Sequence, residues 1–187
     1  AVPGSNPNGG AIEPGHASVN LTWDGECVRV EGGAVEWAGF QAVPSGKARF
    51  TRVDALSILR GETSSGPGRL DFGLDGGFDD LSPLRRFVPD LRRFTGSAAI
   101  ALRLGGRATE PLFSGTIDFL DVDVRAGDLP PFLGVNGRLR LEGEGLIIDS
   151  LKGEVGGSPF TVGGGLSGLP SAPNFDVSVA GEDLLLA

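Results

Sequence analysis

The chain has no tyrosine, no methionine, one cysteine (Cys27) and one histidine (His16). Each scarcity removes a class of chemistry. A single thiol permits no intramolecular disulfide and no cysteine-based zinc site. A Ser/His/Asp or Cys/His arrangement would have to use His16, which lies in a Gly/Pro-rich start with nothing rigid around it. The missing tyrosine, a usual constituent of surfaces that bind sugars and proteins, counts against a lectin. No apolar run reaches the ~18 residues that a membrane-spanning helix needs. The opening "AVPGSNPNGG" lacks the charged and apolar regions of a secretory signal. With no methionine even at position 1, the sequence reads as a piece of a longer protein. Positive charge is also short: 16 Lys and Arg stand against 24 Asp and Glu, a net −8 with pI near 4.6. Such a chain has no overall basic footprint for nucleic acid, and none for simple adsorption on anionic lipid. Its charge serves solubility.

What is present is a rhythm. The 187 residues include 32 glycines and 13 prolines, and 40% are apolar. That apolar share argues against wholesale disorder, and no Gly-X-Y period marks collagen. Apolar residues return at every second position. Val19, Leu21 and Trp23 alternate with polar neighbours, "DGE" (Asp24–Glu26) offers a type I′ hairpin turn, and Val28 and Val30 follow. "EGG" at 31–33 reads as another turn, before Val35 and Trp37. The same alternation continues through Ala48/Phe50 (against Arg49/Thr51), Leu70/Phe72/Leu74, Ile100/Leu102/Leu104, Ile117/Phe119 and Leu139/Leu141. It ends with Leu151/Val155, Phe160/Val162 and Phe175/Val177/Val179. Successive strand side chains point to opposite faces, so each segment has one apolar and one wet face. This predicts an all-β, antiparallel or mixed sheet. From Ser97 onward the strand–turn–strand units recur as in a repeat array.

One segment departs from this pattern. In "DDLSPLRRFVPDLRRF" (79–94), Leu81, Leu84, Phe87 or Val88, Leu91 and Phe94 are spaced by three or four residues. Asp79, Asp80 and Ser82 offer N-caps, Pro83 suits a first turn, and Pro89 should break the helix. Two short helical turns are expected, with Arg85/Arg86 and Arg92/Arg93 outside. They would cover a sheet edge or end, or else touch lipid headgroups or a partner. The organisation is thus a flexible lead-in at 1–16 and a β domain at 17–187. The β domain divides into a first part (17–78), a helical insert (79–95) and strand repeats (96–187).

Reactive constellations are missing. Asp121, Asp123 and Asp128 in "DVDVRAGD" fail as a calcium loop, because Arg125 stands where an oxygen ligand is needed and Gly127 is one position late. "GGSPFTVGGG" lacks the Lys-Ser/Thr of a phosphate-cradling loop. Glycine inside strands more often marks a bulge, a bend or a close approach. Paired carboxylates occur throughout an acidic chain, and spacing groups none of them as a glycosidase pair would need. The two tryptophans and eleven phenylalanines fit a core, or a surface that holds something apolar. The chain is not read as an enzyme, and no cofactor or metal is implied.

The stretch "DLSPLRRFVPDLRRFTGSAAIALRLGGRATEPLFSGTIDFLDVDVR", and above all "LIIDSLKGEVGGSPFTVGGGL" (146–166), resembles the TamB family and its AsmA-like relatives. The resemblance covers roughly the second half of the chain; residues 17–75 share the strand grammar without a recognisable motif. It implies a long, strongly curved sheet forming a taco-like apolar groove in the periplasm of diderm bacteria, within a protein anchored in the inner membrane by a segment outside this sequence. It also implies a BamA-like outer-membrane barrel as partner, reached through other regions, and roles in outer-membrane protein assembly and in phospholipid transport between membranes. The family has no catalytic residues to carry over.

Alternation nominates the groove lining: Leu139, Leu141, Ile148, Leu151, Val155, Phe160, Val162, Phe175, Val177 and Val179. Phospholipid acyl chains or nascent outer-membrane β-strands would lie against it, with no nucleic acid involved. The alternative expectation is a closed β-sandwich, an adhesion or carbohydrate-binding module, with its apolar faces sealed against each other.

Overall fold

A computed structural model describes residues 15–50, 68–88, 90–168 and 173–181. They form ten strands: β1 (His16–Trp23), β2 (Cys27–Trp37), β3 (Phe40–Arg49), β4 (Arg69–Phe78), β5 (Leu91–Arg107), β6 (Glu110–Ala126), β7 (Phe132–Glu142), β8 (Gly145–Val155), β9 (Ser158–Ser167) and β10 (Asn174–Gly181). All ten belong to one antiparallel sheet whose spatial order is the sequence order. The chain is therefore all-β, and the sheet is not closed: β1 and β10 are its edges. Such an order arises when every connection is local, since each strand turns back beside the one before it. Among the described residues no helix is long and apolar enough to cross a membrane.

The turns follow their residues. Asp24 Oδ1 accepts hydrogen bonds from the backbone N–H groups of Glu26 (3.1 Å) and Cys27 (2.8 Å), and Gly25 takes φ +97°. Only Gly25 is left-handed here, so "DGE" is a three-residue Asx turn and not the expected type I′. The expected turn at 31–33 is a correction of a different kind. β2 runs unbroken through "EGG", and a register shift falls there against both β1 and β3. A bulge and a tight turn ask the same conformational freedom of glycine, so the sequence alone does not separate them.

The segment after β4 is also corrected. A single 3₁₀ helix, Ser82–Phe87, replaces two helical turns, with Pro83 in its first turn as expected. Asp80 holds its start by accepting the Ser82 N–H (2.9 Å) and the Ser82 hydroxyl. These bonds, the hydroxyl's foremost, keep the Asp80 carboxyl below its ordinary range. Leu91–Phe94 belongs to β5. Its spacing of three comes from a register shift between Leu91 and Arg93, which inserts one residue between two inward-facing side chains. Arg92 and Arg93 are exposed as expected and pair with Asp128 (3.5 Å) and Asp123 (2.8 Å). Of the expected lead-in at 1–16 only Gly15 and His16 are described, and His16 already opens β1; Thr51 and Pro89 lie outside the described residues.

The best-packed point is a cluster of Leu81, Ala98 and Val122, flanked by Phe78, Leu84, Phe94, Phe119, Val124 and Val135. The Leu81 N–H donates to the Gly96 carbonyl (2.9 Å), and Phe87 lies on Trp37 with ring centroids 5.0 Å apart. The segment carrying the 3₁₀ helix thus covers the sheet at the end where β2 and β3, and β6 and β7, turn. Of the two expectations for it, covering a sheet end is the one seen.

Candidate functional site

Directly paired residues on neighbouring strands point to the same face, so the register sorts the side chains. Leu139 pairs with Ile148, Ile148 with Gly164, and Gly164 with Val177. Leu151 pairs with Val162 and Val162 with Val179. Leu141, by way of Leu146 and Leu166, leads to Phe175. Val155 and Phe160 stand on the same side, beside Phe132, which meets Phe160 edge-on at 5.7 Å. All ten nominated positions therefore share one face. The register carries that face across the whole sheet through Ile117, Ile100, Leu102, Leu74, Phe72, Val30 and Leu21.

Burial along this face is graded. Val155 and Phe160 are buried, and Leu139, Leu141, Ile148, Leu151 and Val162 are half-buried. Phe175, Val177 and Val179 are 65%, 44% and 60% exposed. The opposite edge matches, with Val19, Leu21 and Trp23 at 45%, 62% and 50%. No large side chain falls below 2% exposure among the described residues. Large apolar side chains thus stand open in rows on both edge strands, and are not scattered singly over the surface.

The other face is mostly polar and zipped by charge, although Val43, Leu112, Leu120 and Leu133 are also exposed on it. Arg103 pairs with Asp75 (2.9 Å), Arg140 with Asp149 and Glu142 (2.9 Å each), and Arg138 with Asp118 in a two-point contact. Hydrogen bonding to Asp118 holds the Arg138 guanidinium above its ordinary range. These pairs are exposed, each worth at most about 1 kcal/mol, and they set register more than stability.

Bulges cross the middle strands in a row. Gly96 on β5 (φ +103°), Asp121 on β6 (φ +49°) and Gly134 on β7 (φ +56°) each lie at a register shift. A Cβ on Gly96 would come within 2.5 Å of the Asp121 carbonyl, so only glycine fits. Asn136 staples the row: its Oδ1 accepts the Asp121 N–H (3.0 Å), and its Nδ2 donates to the Gly134 carbonyl (2.7 Å) and to Asp121 Oδ1 (3.3 Å). Asp123 accepts the Gly134 N–H (2.9 Å). Sequence reasoning passed over Asn136 because a polar residue on a wet strand face carries no signal of its own. The Asp121 carboxylate thus answers Asn136, the Asp123 carboxylate answers the Gly134 N–H and Arg93, and no metal-holding group of side chains occurs among the described residues. Among the described residues the arrangement offers an apolar face backed by a charged one. Comparison with family models, curated proteins and solved structures finds no match to this chain.

Proposed function

We propose that this chain is a periplasmic segment of a TamB/AsmA-like protein whose sheet curls into a taco-like trough, supporting phospholipid transport between inner and outer membrane and outer-membrane protein assembly. The observation that carries the reading is the single apolar face shared by ten consecutive strands, half-buried at its centre and wet at both edges. A closed sandwich needs two layered sheets, whereas the described strands form one. Curl is favoured by register shifts in six of the nine strand pairs, since each bulge bends and twists its strand. It is favoured too by small residues on the apolar side. A Cβ on Gly76, Gly137 or Gly164 would sit 2.1 Å from a carbonyl oxygen of the neighbouring strand, so the strands press together where these glycines stand.

Acyl chains would bind by burial alone, at ~0.8 kcal/mol per CH₂, with no polar chemistry required. The outer sides of β1 and β10, which pair with no other described strand, would suit nascent β-strands, which add to an open edge through main-chain hydrogen bonds. Anchoring and contact with a BamA-like barrel belong to other parts of the protein. The test is binding of an apolar fluorescent dye to the purified chain, displaced by phospholipid. Replacing Leu139, Leu151 and Val162 by Glu should abolish dye binding with strand content unchanged by circular dichroism. Undiminished binding in that variant refutes the trough.

A further inference from the structure

At the end of the sheet away from the 3₁₀ helix, strand termini bring basic residues together. Arg49 closes β3 and Arg69 opens β4, and the register sets them directly opposite each other, with Cys27 on the other side of Arg49. One step inward, Arg29, Lys47 and Asp71 form the next row. These side chains line a cleft of ≈ 590 Å³. We propose that this cleft binds a phosphate-class anion, with Arg49 and Arg69 as its two forks.

Like charges placed directly across a strand pair repel. Elsewhere on the polar face the register answers Arg103, Arg138 and Arg140 with carboxylates. Here it does not. Asp71 goes to Lys47 (3.7 Å) and Asp24 to Arg29 (2.8 Å), which leaves Arg49 and Arg69 without an ion pair among the described residues. The lining holds four cations and one carboxylate in a chain of net charge −8, with Asp24 and Glu26 the acids beside it. A tetrahedral phosphate oxyanion between two planar guanidinium groups, singly charged as a phosphodiester or up to doubly charged as free phosphate, lowers the repulsion and takes hydrogen bonds from both. The chemistry is shared by free phosphate and by a phospholipid headgroup. The site lies on the polar side, so it stands whether or not the trough carries lipid.

The test titrates the whole chain with inorganic phosphate by calorimetry. A second arm measures flotation with phosphatidylglycerol vesicles against phosphatidylcholine vesicles. Arg49→Gln/Arg69→Gln should weaken phosphate binding by about tenfold or more, while Lys152→Gln, on a remote strand, leaves it unchanged. If the double variant fails to fold, Arg49→Lys keeps the charge, loses the fork and should still weaken binding severalfold. Flotation that needs the same arginines and is competed by phosphate identifies the headgroup; phosphate binding without flotation identifies the free anion. Absence of both, or binding indifferent to Arg49 and Arg69, overturns the proposal.

Discussion

Placing the same charge at two positions on one face separates an open sheet from a covered one. Val122 and Val179 both belong to the apolar face, yet Val122 is 4% exposed beneath Leu81 and Val179 is 60% exposed on the edge strand. Val122→Asp removes a buried side chain worth ~2 kcal/mol and leaves a carboxyl without a partner, at ~1–3 kcal/mol more. The expected cost is therefore about 3–5 kcal/mol. At Val179 under half of the side chain is shielded, so the transfer loss is below ~1 kcal/mol and the carboxylate keeps its water. Urea unfolding followed by the fluorescence of Trp23 and Trp37 measures both. If Val179→Asp costs more than ~2 kcal/mol, something covers β10 and the reasoning fails.

Two further outcomes are expected. Asn136→Ala frees the Asp121 N–H and the Gly134 carbonyl at the bulge row and should cost about 1–2 kcal/mol, read as a lowered urea midpoint at unchanged slope. Asp24 is held below its ordinary pKa by the N–H groups of Glu26 and Cys27, with Arg29 adding to them. Its folded value lies under the unfolded ~3.9, so its contribution is present above that pH and is lost as pH falls through the folded value. Asp24→Asn should then melt below the parent at pH 7, and the gap should shrink as pH falls below the unfolded ~3.9.

How much of this the sequence carried depends on the length of the local rule. Period-2 alternation survives into the fold because a face flip would expose every apolar side chain of a strand at once. That is why all ten nominated positions fall on one face. The errors cluster at bulges. Ile148 and Leu151, or Phe119 and Val122, are three apart and still share a face, because one inserted residue restores the phase. The same device at Leu91 and Phe94 imitates a helix, and at 31–33 a bulge imitates a turn. Which glycine bends a strand and which ends it is decided by the partner strand, as is the cross-strand pairing of Arg49 with Arg69, and neither is written locally.

The most direct test of an apolar face open to acyl chains is site-specific photocrosslinking in the presence of phospholipid. A crosslinking residue at Leu139, Leu151 or Val162 should capture lipid, and one at Arg138, Lys152 or Thr161 on the reverse face should not. Equal capture from both faces, or none from the apolar one, contradicts the account.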